Sequence, residues 1–303
     1  MKNPYSFSIL GSGFGLYGYL VAISHIGEAR KIFILEEYLP LILNLKISQK
    51  TRKNIVPCKT LDGLIENGDV IVVARRPVDQ FEIIQNNIQL LKTKRLLLEK
   101  PVAPSPRQAS KLLSLLEENK VNFSVGFLFR YLSWSDLIFN NSYQGKTIKI
   151  TWNLTEKGKL SWKKNKFGGG AVDLLGIHIL AMMALHNFFL VSSQISLNIK
   201  GLEDQWEASF SKKNSIVNIE LNSASDNNLF KVELDEEVIF EDKTPYGKEF
   251  ISGSLDSRLE PLKDHISFAI ANQDFNKELE LNQKINLLWE QVRYISFLNS
   301  PKS

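Results

Sequence analysis

A single cysteine, Cys58, occurs in the 303 residues. An intramolecular disulfide and a cysteine-rich zinc site are therefore excluded, and no metal centre is expected. Cys58 ends the short apolar stretch Asn54-Ile-Val-Pro-Cys58, which reads as a strand end, so a buried structural thiol is expected. Long hydrophobic runs are also missing. No stretch reaches the roughly 20 apolar residues that a membrane span requires, and the N-terminus lacks the basic-then-apolar pattern of a secretory signal. Nor is there an excess of one charge. The 37 Lys and Arg, against 33 Asp and Glu, leave a formal net charge of +4 spread along the chain. That balance predicts a solvated surface, not a nucleic-acid groove. No internal repeat or low-complexity linker interrupts the sequence. These absences leave a protein expected in a reducing compartment, the cytoplasm, with neither membrane nor nucleic acid as partner.

The remaining composition is that of a packed globular protein, 44% hydrophobic and 23% charged. Its length makes two domains the default. In the first third, short apolar runs alternate with helical patterns. Strands are expected at 6–10, 31–35, 54–58, 69–74, 95–98 and 122–126. Helices are expected at 19–29, 61–67, 78–91 and from a Ser105 cap to 119. The run Asp69-Val-Ile-Val-Val-Ala74 has the continuous β-branched character of a strand buried on both faces. Strands alternating with helices predict a doubly wound parallel sheet. Past residue 145 the period changes to two. Ile148, Ile150 and Trp152 alternate with polar residues, as do Ile195, Leu197 and Ile199, then Val217, Ile219 and Leu221, then Phe230, Val232 and Leu234. A mostly antiparallel open sheet follows, covered on one face by an apolar helix at 174–190. Two more helices are expected near 262–271 and 282–298. The expected architecture is α/β: a dinucleotide-binding Rossmann domain over 1–122 and an α+β substrate and oligomerisation domain over 123–303.

The first strand ends in Gly11-Ser-Gly-Phe-Gly-Leu-Tyr-Gly18. Two glycine frames fit, one starting at Gly11 and one at Gly13. The first is preferred, because the leading glycine must begin the turn where the strand ends. Missing Cβ atoms at Gly11 and Gly13 let the N–H groups of Phe14 and Gly15 approach a diphosphate at a helix N-terminus. Glu36 lies about 20 residues on, at the end of the second strand, where an acid receives the adenosine ribose hydroxyls. Repulsion of a 2′-phosphate by Glu36 favours NAD, with NADP as the alternative. Lys100 follows the strand at 95–98 and should point into the crevice above the sheet, where desolvation would lower its pKa.

Three further segments resemble the Gfo/Idh/MocA oxidoreductases, the family of glucose–fructose oxidoreductase and inositol dehydrogenase. They are Glu99-Lys100-Pro101, then Gly126-Phe-Leu-Phe-Arg130-Tyr131, then Trp162-Lys-Lys-Asn-Lys-Phe-Gly168-Gly-Gly170 with His178 downstream. The resemblance implies that Lys100 orients substrate and cofactor and relays a proton, and that His178 is a catalytic acid/base. Ala74, Arg75, Glu99, Lys100 and Pro101 would line the cofactor, with a cis bond at Pro101. Arg130, Trp162 and Asp173 would join Lys100 and His178 around the substrate, and Tyr19 stands where the family commonly has histidine.

Departures from the family pattern accompany the match. The aspartate usual four residues before the histidine is Leu174, and Asp173 stands five before it. On an α-helix that displaces Asp173 by roughly 140° from His178, leaving it as an acid of the first helical turn. Ala181 replaces a second aspartate. The segment Ala74-Arg75-Arg76-Pro77 with Gln80 replaces the usual Thr-Pro-Pro and its later histidine, and its arginines suit an anionic group. The resemblance implies an NAD(P)-dependent oxidoreductase acting on the hydroxyl or carbonyl carbon of a sugar, nucleotide sugar or cyclitol. The alternative is a cofactor-binding regulatory protein of the same fold. Family members often pair through the open sheet, so a homo-oligomer, dimer or tetramer, is expected.

Overall fold

The computed structural model describes residues 5–27, 29–139, 143–155, 169–198, 201–247, 256–271 and 274–299. In chain order, β1 (Tyr5–Leu10) leads into a π-helical turn at Gly15–Leu20 that continues as α1 (Val21–Ile26). Then come β2 (Ala29–Leu35), a 3-10 turn at Glu36–Tyr38, α2 (Leu39–Ile42), α3 (Gln49–Lys53) and β3 (Ile55–Cys58). Next are α4 (Leu61–Asn67), β4 (Val70–Val73), α5 (Pro77–Leu91), β5 (Arg95–Leu98), α6 (Pro106–Glu118) and β6 (Asn122–Val125). The six strands lie in the order β3-β2-β1-β4-β5-β6, all parallel. This is the dinucleotide-binding order, and its direction reverses between β1 and β4, where such sheets open a crevice. All four residues of β4 are inaccessible to solvent, as a strand covered on both faces requires. Local signals set the helix starts: Thr60 accepts from the Gly63 N–H, Ser105 from the Gln108 N–H, and Pro77 occupies the first turn of α5.

The second sheet follows a 3-10 turn at Leu128–Tyr131 and α7 (Ser133–Phe139). Its elements are β7 (Thr147–Thr155), a π-helical turn at Val172–Gly176 continuing as α8 (Ile177–Leu185), β8 (Phe189–Leu197), β9 (Glu203–Lys212), β10 (Ser215–Ser225), β11 (Leu229–Leu234) and β12 (Glu237–Asp242). Two helices, α9 (Leu259–Ala271) and α10 (Phe275–Asn299), follow. The strand order is β12-β11-β7-β10-β9-β8, antiparallel except for the β7–β10 pair. The β11–β12 hairpin turns through Asp235 and Glu236, both at positive φ (49° and 72°). Such a turn is usually announced by Asn-Gly or Asp-Gly, so β12 escaped the sequence reading.

Two compact units result. One comprises Met1–Ala103, Lys111–Leu128 and Glu249–Leu279; the other comprises Pro104–Ser110, Phe129–Lys248 and Glu280–Ser303. The stretch carrying α9, placed by sequence in the second domain, thus groups with the first. The cause is packing: α9 lies on α1 and buries Leu259, Leu262, Ile266 and Ile270. Among the described residues no helix is long and apolar enough to cross a membrane.

Three elements differ from their expected bounds. The first helix begins at Gly15 and ends at Ile26, where Gly27 takes a left-handed φ of 75°. The helix expected through Leu190 ends at Leu185, because Asn187 adopts φ 55° and the following residues pair in β8. Irregular register in β8 also turns Leu197 outward, 61% exposed, and buries Ser193 instead. Ser193 satisfies its hydroxyl with Ser296 (2.8 Å) and the Trp206 indole (3.1 Å).

Candidate active site

The dinucleotide turn is built by steric demand on single atoms. Gly11 has φ 143°, and a Cβ there would sit 2.2 Å from the Ala74 carbonyl oxygen. Only glycine fits between β1 and the end of β4. A Cβ on Gly13, by contrast, would meet nothing within 4 Å, so bare backbone faces open space. The Gly13 carbonyl accepts from Leu16 (2.9 Å) and Tyr17 (3.2 Å) and starts the helix. Glycine is also demanded at the last position of the other frame, since a Cβ on Gly18 would lie 2.4 Å from the Phe14 ring. The N–H groups of a first helical turn have no partner within the helix and receive anions. Gly11, Gly13, Phe14 and Gly15 therefore fit a dinucleotide diphosphate. Glu36 is exposed at the end of β2. Close by in the fold, Arg75 donates to the Tyr38 hydroxyl (3.2 Å). Burial raises the Tyr38 pKa, with Arg75 pulling the other way. Arg76 caps α5 and forks onto Asp79 at 2.8 and 2.9 Å.

Lys100 stands in a turn after β5, with a cis bond to Pro101. Gln80 of α5, wholly buried, holds this turn. Its carboxamide nitrogen donates to the carbonyls of Glu99 (2.7 Å), Val102 (3.1 Å) and Pro101 (3.3 Å), and its oxygen accepts the Glu99 N–H (3.0 Å). Backbone groups inside protein need partners, and one side chain here satisfies four. By sequence Gln80 stood out only as a replacement; nothing local reveals that it reaches 19 residues ahead. Tyr19, buried on the π-turn, donates to Glu99 Oε1 at 2.9 Å. Gly126 closes the group, since a Cβ there would lie 3.0 Å from that hydroxyl and 3.2 Å from Glu99. Desolvation lowers the Lys100 pKa to about 8, with Glu99 opposing and Arg258 adding to the fall. The Lys100 side chain is half-buried. Burial raises Glu99, against the pull of Lys100, the Tyr19 hydroxyl and Arg258.

In the second unit His178 is buried in α8 and stacks on Phe129, centroids 4.7 Å apart at 14°. Phe129 in turn contacts Trp134, Trp152, Phe230 and Tyr246 edge-on or tilted. Arg130 is half-buried, its guanidinium 5.3 Å from the centre of the Tyr131 ring. Trp162 and Gly168 lie outside the described residues.

Asp173 differs most from its expected setting. The segment Val172–Gly176 is π-helical, so the 140° displacement computed for an α-helix does not hold. Its carboxylate is engaged elsewhere. Asp173 is 4% exposed and accepts from Trp289 Nε1 (2.7 Å) and Arg293 Nη2 (2.5 Å). Arg293 also donates to Glu203, whose carboxylate packs on Gly170 so closely that a Cβ there would fall 2.5 Å from Oε2. Burial opposes the Arg293 charge, but Asp173 and Glu203 outweigh it and raise its pKa. The first-turn acid of the sequence reading is one corner of a buried ion cluster. Trp289 and Arg293, four apart on one face of α10, were the only local trace of it.

The comparisons agree with this architecture. Residues 9–127 match the Gfo/Idh/MocA family, described as an oxidoreductase family with an NAD-binding Rossmann fold. The match agrees with the resemblance that Glu99-Lys100-Pro101 carries. Glucose-6-phosphate 3-dehydrogenase of Bacillus subtilis (strain 168) is 30% identical over 165 residues, covering 48% of this chain and 46% of that protein. The chain thus matches less than half the length of this curated relative. A super-repressor mutant of Gal80p from Saccharomyces cerevisiae superposes with a TM-score of 0.75 at 14% identity, covering 98% of this chain and 97% of that one. UDP-N-acetylglucosamine 3-dehydrogenase GnnA from Acidithiobacillus ferrooxidans gives 0.70 at 12% identity, covering 96% and 97%. At these identities the structural likeness is one of fold.

Proposed function

We propose that the protein is an NAD-dependent dehydrogenase that interconverts a hydroxyl and a carbonyl on a sugar, nucleotide sugar or cyclitol. The observation that carries this reading is Lys100, held by Gln80 at the C-terminal end of β5 with its pKa lowered to about 8. An amine in that range exchanges protons near neutral pH, as removal of a hydroxyl proton requires. Bound NAD supplies the hydride acceptor. The chain holds its diphosphate on the Gly11–Gly15 backbone and its adenosine ribose at Glu36. Lys100 takes the hydroxyl proton in oxidation and returns it in reduction, and His178 is the second proton-exchanging group. A second reading, a cofactor-binding regulator, is favoured by Asp173, whose carboxylate is committed to Arg293 and Trp289.

Turnover of NAD(H) with a panel of sugars, sugar phosphates, nucleotide sugars and inositols separates the two. Oxidation needs the neutral amine, so its rate should rise with pH and level off above about 8. Reduction needs the ammonium and should decline over the same range. Cofactor bound tightly with no substrate turned over would establish the regulator. Run in parallel, NADPH should bind more weakly than NADH, because Glu36 faces the 2′-phosphate; a preference for NADPH removes that role.

A further inference from the structure

The sheet order places β2 and β4 on either side of β1. Tyr38 lies just beyond the end of β2, and Arg75 just beyond the end of β4. Arg75 Nη1 donates to the Tyr38 hydroxyl at 3.2 Å, so this bond runs from one flanking strand to the other across the end of β1. Gly11 is the residue at that end. Its N–H, facing the Tyr38 oxygen, tempers the rise that burial causes in the tyrosine's pKa. The place of its missing Cβ is taken by the carbonyl of Ala74, the residue before Arg75. The bridge is thus fixed on the turn whose bare backbone fits a dinucleotide diphosphate.

Its two ends differ in kind. Tyr38 is 3% exposed, which fixes its ring and keeps its hydroxyl neutral. Arg75 is exposed. A guanidinium carries five N–H donors in a rigid fork. One goes to Tyr38, and among the described residues no carboxylate lies within ion-pair reach of the group. Arg76, next in the chain, is the opposite case, with its guanidinium forked onto Asp79 at 2.8 and 2.9 Å. The nearby acids make a cation necessary here. Glu36 and Glu37 immediately precede Tyr38, and the Glu37 charge reaches the tyrosine hydroxyl. Backbone N–H groups offer a doubly negative diphosphate only partial charges. An arginine anchored by one donor and open at the others can meet two phosphate oxygens at once.

We propose that Arg75, held in place by Tyr38, binds the diphosphate of the nicotinamide dinucleotide, with the glycine turn supplying the backbone half of the site. Arg75 is then a binding residue and Tyr38 a positioning residue. This deepens the cofactor part of the reading above and does not depend on turnover, so it holds for a dehydrogenase and a regulator alike.

Fluorescence titration with NADH, with ADP-ribose as competitor, tests it. Arg75→Gln should weaken both ligands about ten-fold or more, as loss of a hydrogen bond to a charged group does. It should also flatten the salt dependence of the affinity that remains. Arg75→Lys should recover part of the loss, since it keeps the charge without the fork. Arg76→Gln should bind like wild type. Tyr38→Phe should cost less than Arg75→Gln, and in the Arg75→Gln background it should cost nothing further. The same Tyr38→Phe loss in both backgrounds overturns the positioning role. Wild-type affinity in Arg75→Gln, or an equal loss in Arg76→Gln, overturns the proposal. So does a loss confined to NADPH, which puts the guanidinium on the 2′-phosphate instead. Wild-type protein that binds neither NADH nor ADP-ribose removes the cofactor site and this inference with it. Binding that depends on Arg75, with no substrate turned over, keeps the inference and defeats the dehydrogenase reading.

Discussion

Lys100 and His178, the two residues proposed to exchange protons, sit in surroundings built on different principles. Lys100 lies in a short turn whose shape follows from its own backbone and from Gln80, one helix earlier in the same sheet. His178 lies on a helix whose first turn is held from far along the chain, by Arg293 of α10 through Asp173 and by Glu203 of β9 against Gly170. A turn motif keeps its meaning when its contacts are local. A helical motif can be reassigned by one distant cation, as Asp173 shows.

The sharpest way to break this comparison is to remove both groups separately. Lys100→Ala and His178→Ala should each lower kcat/KM by about 10²–10⁴-fold, the range for a positioned acid or base, with NADH affinity retained. If only Lys100→Ala does so, the His178 helix is scaffold and stacking on Phe129 is its whole role. The next effect is on stability. Asp173→Asn takes a carboxylate from a buried ion cluster, and breaking such a pair costs about 3–5 kcal/mol. Glu203 still faces Arg293, which places the expected loss near the low end. Urea unfolding measures it, and Arg293→Gln combined with Asp173→Asn should cost less than the sum of the two alone. Undiminished stability with collapsed turnover would make Asp173 a proton-relay acid after all. The smallest effect belongs to the turn. Gln80→Leu leaves the Glu99 N–H and its carbonyl neighbours without their partner, a loss of about 1–3 kcal/mol for a buried group left unsatisfied. Thermal unfolding reads that loss. An unchanged midpoint would mean that the Lys100 turn is held by its own backbone alone.

Some of this was written locally. The parallel sheet was legible because Val70–Val73 and its neighbours are continuous aliphatic runs between helical periods. Lys100 could be placed by the same logic. Other features had no local mark. The π-helical openings at Gly15–Leu20 and Val172–Gly176 depend on hydrogen-bond spacing that composition does not encode. The β11–β12 hairpin turns through Asp235 and Glu236, with glutamate where such a turn usually has glycine.

The sequence by itself determined the alternation of strands and helices and the dinucleotide turn, because each rests on neighbours a few positions apart. Tertiary structure alone decided that α9 returns to the first unit and brings Arg258 over Phe14, and that Arg293 claims Asp173 from 120 positions away. Desolvation and pairing of charge depend on what surrounds a group in space, and chain distance carries no record of that.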